Sequence, residues 1–172
     1  MMRLNVNKPV SRERTKKKWK LYEWNIVLFF LIIPLGAIFI DYYMMGNTNL
    51  FVEISLKWFV FSGIGLRLGI SGIKQIFHPQ FTLNEIFNIS VKEAIPIVRE
   101  LGFANLCFSI LAIISLFYSD FRIPASIAGG LYFGLAGILH VLKKKESSKE
   151  VFAMISDIYI FTIMVVLIIY NL

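Results

Sequence analysis

Charge is scarce in this sequence: Asp, Glu, Lys and Arg make up 17% of 172 residues, against 57% hydrophobic residues and a mean hydropathy of +0.69. A water-soluble domain of this size needs far more polar surface, so that class is excluded and the chain reads as an integral membrane protein. Cysteine is nearly absent. Cys107 stands alone in an apolar run, which rules out an intrachain disulfide and leads one to expect burial as a small hydrophobe. His78 and His140 are the only histidines, and neither an H-E-x-x-H nor a C-x-x-C pattern occurs, so no metal site is expected. The phosphate-cradling G-x-x-x-x-G-K-[ST] loop is missing too, and with it the expectation of nucleotide hydrolysis. No serine comes with a recognisable base and oxyanion arrangement. Enzymatic activity is therefore disfavoured, and no cofactor is expected.

What the sequence does contain is long apolar runs rich in Leu, Ile, Phe and Gly, without the two-residue alternation of a membrane β-barrel. Five segments reach the roughly 20 residues needed to cross a bilayer, at about 24–44, 51–76, 98–118, 122–142 and 150–171. The second is the least secure, because it carries Glu53, Lys57, Arg67 and Lys74. The first is longer than a cleavable signal core and lacks a small-x-small site after it, so a retained helix is expected.

Local signals separate the runs. Met45-Gly46-Asn47-Thr48-Asn49 is a turn-forming break with Asn49 as a candidate N-cap. Thr82 to Glu85 and Ser90 to Glu93 both have capping-box spacing, so residues 79–97 read as one or two short interfacial helices. Pro96 is expected to end or kink the second of these before span three. Ser147 to Glu150 gives a further capping signal after the polar turn 143-KKKESSK-149.

Residues 1–20 hold eight basic side chains and one acidic, a net +7 that equals the formal charge of the whole chain. Such a tail beside a first helix is expected to stay on the cytoplasmic side and to touch anionic lipid; a nucleic-acid partner is not expected. Lys74, Lys92, Arg99 and Lys143–Lys145 fall on the same side, whereas 45-MGNTNLF-51 and 118-YSDFRIP-124 carry little net positive charge. The positive-inside rule then places the N-terminus in the cytoplasm and the C-terminus outside. The sequon Asn88-Ile89-Ser90 lies on the inner side, where no glycosylation is expected.

Two small-residue stripes, Gly65, Gly69 and Gly72, and Gly130, Gly134 and Gly137, put glycine on one helical face each. Close helix packing is the leading reading of both, with a dimer face or a flexible gate as alternatives. Arg67 is the sharper feature, about ten residues or roughly 15 Å from the end of span two. A charge at that depth favours a protein-facing or water-facing position, as a structural ion pair or as a ligand site, with snorkelling to the interface as the third option. Glu100, Asn105, His140 and Asp157 are the nearest candidate partners for a polar pocket opening inward. Glu100 and His140 also suit the ends of their helices through the helix dipole. At the outer side Asp41, Glu53 and Lys57 are expected to form an ion-pair network.

The stretches 65-GLRLGISGIKQIFHPQFT-82, 99-RELGFANL-106 and 129-GGLYFGLAGILH-140, followed by Ser156-Asp157, resemble a family of small prokaryotic multi-pass membrane proteins catalogued as a domain of unknown function. That family looks like a compact bundle of four or five helices with a Glu-Gly-Phe-Ala-Asn type motif. Here Leu101 intervenes between Glu100 and Gly102-Phe103-Ala104-Asn105. The resemblance covers about residues 60–165 and implies that Glu100, Asn105, His140 and Asp157 belong together, without making them catalytic.

The expected fold is thus an all-α integral membrane five-helix bundle with one or two short interfacial helices between spans two and three. A basic cytoplasmic tail, 1–20, precedes a single transmembrane helical domain, 21–172. The leading function is binding, with translocation as an extension, of a small solute or ion in an inward-opening cavity lined by Arg67, Glu100, Asn105, His140 and Asp157. The alternatives are a structural or partner-binding membrane protein with a closed polar core, with homodimerisation as one form, and an intramembrane enzyme.

Overall fold

The computed structural model describes residues 23–46, 50–87, 91–142 and 148–171. Among these, five helices are long and apolar enough to cross a membrane. They are α1 (Glu23–Met44), α2 (Phe51–Phe77), α4 (Ile95–Phe117), α5 (Arg122–Leu142) and α6 (Ser148–Asn171). A short interfacial helix, α3 (Pro79–Phe81), runs on into a π-helical turn at Thr82–Ile86. The chain is all-α and crosses up and down, so α1 starts, α2 ends and α3 lies at one end, called here the amino end.

Helix ends follow local chemistry. Gly46 closes α1 in the left-handed region, φ 61°, and donates its N–H to the Tyr42 carbonyl at 3.0 Å, a position where a side chain would be strained. Pro96 does not break a helix as expected. It sits in the first turn of α4, where the helix has no internal use for its missing N–H. Span three therefore begins a few residues earlier than its apolar run indicated. Thr82 is not an N-cap either: the preceding helix begins at Pro79, and Thr82 is buried within a continuing turn. The basic tail, Asn49, the sequon, Ser90, Ser147 and Lys143–Lys145 lie outside the described residues.

The charge-bearing α2, the least secure span in sequence, is the most buried of the five. Two of its four charges, Glu53 and Lys57, are received by neighbouring helices. Lys57 pairs with Asp41 of α1 at 2.8 Å, and Trp58 Nε1 donates to the same carboxylate at 2.8 Å. Glu53 does not join that pair; it meets Arg122 of α5 at 2.7 Å, so the far end carries two separate ion pairs.

Glycine sets the helix spacing. A Cβ on Gly72 would lie 2.7 Å from the Gly102 carbonyl oxygen, and one on Gly102 would lie 3.0 Å from that of Gly72, so α2 and α4 touch backbone to backbone. Gly69 likewise faces Ser109, whose hydroxyl donates to the Gly65 carbonyl at 2.7 Å. The second stripe faces α6: Gly130 meets Met164, Gly134 meets Phe161 and Gly137 meets Ile158. Both stripes lie at contacts between helices of the bundle.

Alpha1 and α2 each contain a wider π-helical segment, Leu28–Ile32 and Val60–Leu66. Such turns disturb the regular carbonyl ladder, and a polar side chain of the neighbouring helix meets it here: Ser62 Oγ donates to the Phe29 carbonyl at 2.6 Å. Around this contact Phe30, Val60, Ile64, Ile160 and Met164 form a fully buried centre. Cys107, expected to be buried, is exposed on the outer face of α4 with Phe103 and Ile110, because that face meets no neighbouring helix among the described residues. In a bilayer such a surface is solvated by lipid, so hydrophobicity does not force it inward.

Candidate functional site

The polar side chains of the amino-end half converge by helical spacing. On α2, Arg67, Ser71, Lys74 and Gln75 follow one another at i+4, i+7 and i+8, which places all four on one stripe. Arg67 donates to the Ser71 hydroxyl within that stripe. Across from it, the Gly72–Gly102 contact brings α4 close enough for Asn105 Nδ2 to donate to Gln75 Oε1 at 2.6 Å. Both residues are buried, Asn105 to 1% exposure. The other amide atom of Asn105, Oδ1, accepts no hydrogen bond from a described residue.

On the opposite wall, α5 and α6 pack through Gly134 and Gly137, which leaves room for an acidic side chain between them. There Asp157 Oδ2 lies 4.0 Å from His140 Nε2, at the outer limit of an ion pair. Tyr132, Ala136 and His140 recur at i+4 along α5 and face the same space.

These walls enclose a cavity of about 380 Å³. Arg67, Asn105, His140 and Asp157 all line it. Glu100 does not: it is exposed near the start of α4 and absent from the lining. Sequence reasoning passed over Ser71, Lys74, Gln75 and Tyr132, although the i+4, i+7, i+8 stripe after Arg67 was the signal that would have found three of them. Phe29 of α1, Phe81 and Phe87 around α3, and Phe133 of α5 complete the chamber with aromatic surface. Its deeper limit is aromatic too. Phe30 and Phe133 meet edge to face at 5.7 Å, and Phe108 and Tyr132 at 5.3 Å between ring centroids.

Among the described residues no group of three or more His, Cys, Asp or Glu is placed to hold a metal ion. The arrangement can instead offer a guest two cationic groups, an amide acceptor, a phenol and a carboxylate, against an apolar lining.

The fold and its apolar surface define a multi-pass helical membrane protein. The chain belongs to a family of unknown function, DUF6790, whose family model matches residues 24–172. No curated protein and no solved structure matches it.

Proposed function

We propose that this protein binds a small solute in the amino-end chamber, and that the chamber faces the cytoplasm. The observation that carries the reading is the convergence of Arg67, Asn105 and Asp157 from three different helices on one space. Each of these groups is expensive to bury in lipid, and packing alone gives no reason to gather them around a cavity. The orientation is part of the proposal: an inside N-terminus and an outside C-terminus are supported by the basic tail and by the basic side chains toward the amino end, through the positive-inside rule. Residues 21–172 act as one domain in this reading, with the tail against anionic lipid.

The chamber is a binding site first. Translocation would require the Phe30–Phe133 and Phe108–Tyr132 contacts to part, since they bound the chamber on its deeper side.

Thiol accessibility tests the reading without knowledge of the ligand. In a Cys107→Ser background, Ala136→Cys on the chamber wall should react with a neutral, water-soluble thiol reagent applied from the cytoplasmic side. Leu131→Cys on the lipid face of the same helix should not. Equal protection of both positions would mean a dry core, and would remove the binding reading.

A further inference from the structure

Two leucines of the chamber are unusual for an interior wall. Leu135 and Leu139 line the space, yet are 66% and 65% exposed on the outer surface of α5. The rim is therefore open sideways, toward the hydrocarbon, and Leu101 of α4 lines the same chamber half-buried. Deeper in the bundle, Phe108 and Tyr132 bring the same two helices back into contact. The chamber thus joins an apolar lateral mouth to a polar wall on which Arg67, Lys74 and Asn105 are the chemically distinctive groups.

Charge and hydrogen bonding at that wall define a complementary guest. Arg67 and Lys74 supply two positive charges, against Asp157 as the one acidic residue among the described residues of the lining, which has His140 beside it and interacts with Arg67. Asn105, buried and bonded to Gln75 with Tyr132 beside it, adds an amide to the same wall. A volume of about 380 Å³ suits a head group and the first part of a chain, and a gap between two helices admits one chain more readily than two.

We propose that the chamber takes a single-chain anionic amphiphile from the bilayer. Its anionic oxygens lie against Arg67 and Lys74, and its chain leaves between Leu101 and the Leu135–Leu139 edge. The proposal rests on the binding reading above and adds the ligand class and the route of entry. A fatty carboxylate and a long-chain phosphate monoester share this chemistry.

The test uses the full chain in phosphatidylcholine nanodiscs with a palmitate analogue that carries a diazirine in its chain. After illumination, adducts should concentrate at Leu101, Leu135 and Leu139 when mapped by mass spectrometry. Excess palmitate or hexadecyl phosphate should remove them, the more effective one naming the head group, while hexadecyltrimethylammonium should not. Lys74→Gln should weaken labelling at subsaturating probe about tenfold, equivalent to about 1.4 kcal/mol. Leu135→Trp, at a lipid-exposed position where folding is spared, should obstruct the mouth and lower it as well.

Adducts spread evenly over all lipid-facing helices would overturn the proposal, as would competition by the cationic amphiphile equal to that by the anions. Displacement by acetate or inorganic phosphate as effective as by palmitate would overturn the role of the chain while leaving solute binding intact. Protection of Ala136→Cys from aqueous reagents, by contrast, removes the chamber itself, so the two failures are distinguishable.

Discussion

The Asn105–Gln75 hydrogen bond offers the most direct test of how the chamber wall is held. It is 2.6 Å long, joins residues 30 apart in the chain, and both partners are buried. Gln75→Leu removes the acceptor of the Asn105 amide N–H, and a buried donor left so costs about 1–3 kcal/mol. Asn105→Leu strands the Gln75 carbonyl in the same way. Interhelical bonds in membranes couple by about 0.6 kcal/mol on average and about 1.7 kcal/mol at most, because the unfolded chain in lipid also finds partners. Here the neighbouring Gly72–Gly102 contact holds the two backbones in register, so the coupling belongs near the upper end. We expect each single variant to lose about 2 kcal/mol and the double variant about 2.5 kcal/mol, a coupling of about 1.5 kcal/mol. Reversible unfolding in bicelles, followed by tryptophan fluorescence, measures all four corners of the cycle. Additivity to within about 0.5 kcal/mol would refute the bond as a support of the wall.

Further outcomes follow from the packing and the far-end ion pairs. Gly72→Ala should destabilise by about 1–3 kcal/mol, since the new methyl meets a backbone oxygen that cannot move alone. Gly36→Ala, with nothing within 4 Å, should stay within about 0.5 kcal/mol; the same unfolding assay compares them. Lys57→Met should cost more than Glu53→Gln. The Lys57–Asp41 pair is only about a fifth exposed on either side, whereas the Glu53 side chain is 51% exposed and its loss is worth under about 1 kcal/mol. Ser62→Ala should lose about 1 kcal/mol by orphaning the Phe29 carbonyl, and Ser62→Thr should recover part of it if the hydroxyl is what matters. Cys107 should react with a membrane-permeant maleimide without loss of stability, because its face of α4 is open. A stability loss on modification would place Cys107 in a contact.

Particular residues show where sequence reasoning reached and where it stopped. The five spans were legible because crossing a bilayer demands length and apolarity, which are local properties. The capping signal at Thr82 and the breaking signal at Pro96 misled, because a capping box and a proline each fit more than one register. Pro96 could as well open a helix as close one, and it opens α4. Glu100 was grouped with Asn105 by proximity in sequence. Five residues along a helix turn the side chain by about 140°, so both could not face one wall, and Glu100 is exposed. The same arithmetic applied to Arg67 would have added Ser71, Lys74 and Gln75, which share its stripe.

The sequence by itself determined that the chain lies in a membrane, that it crosses five times, and that glycine faces two of its helices. These properties reside in composition and period, which every residue carries whatever its neighbours do. Only the tertiary structure decided that the first stripe meets α4 and the second α6, that Asn105 finds Gln75, and that Glu53 leaves Asp41 and Lys57 for Arg122. Pairings of that kind depend on which helix faces touch. In lipid the apolar contribution barely distinguishes one face from another, so shape at the glycines and the location of a few polar atoms select the arrangement.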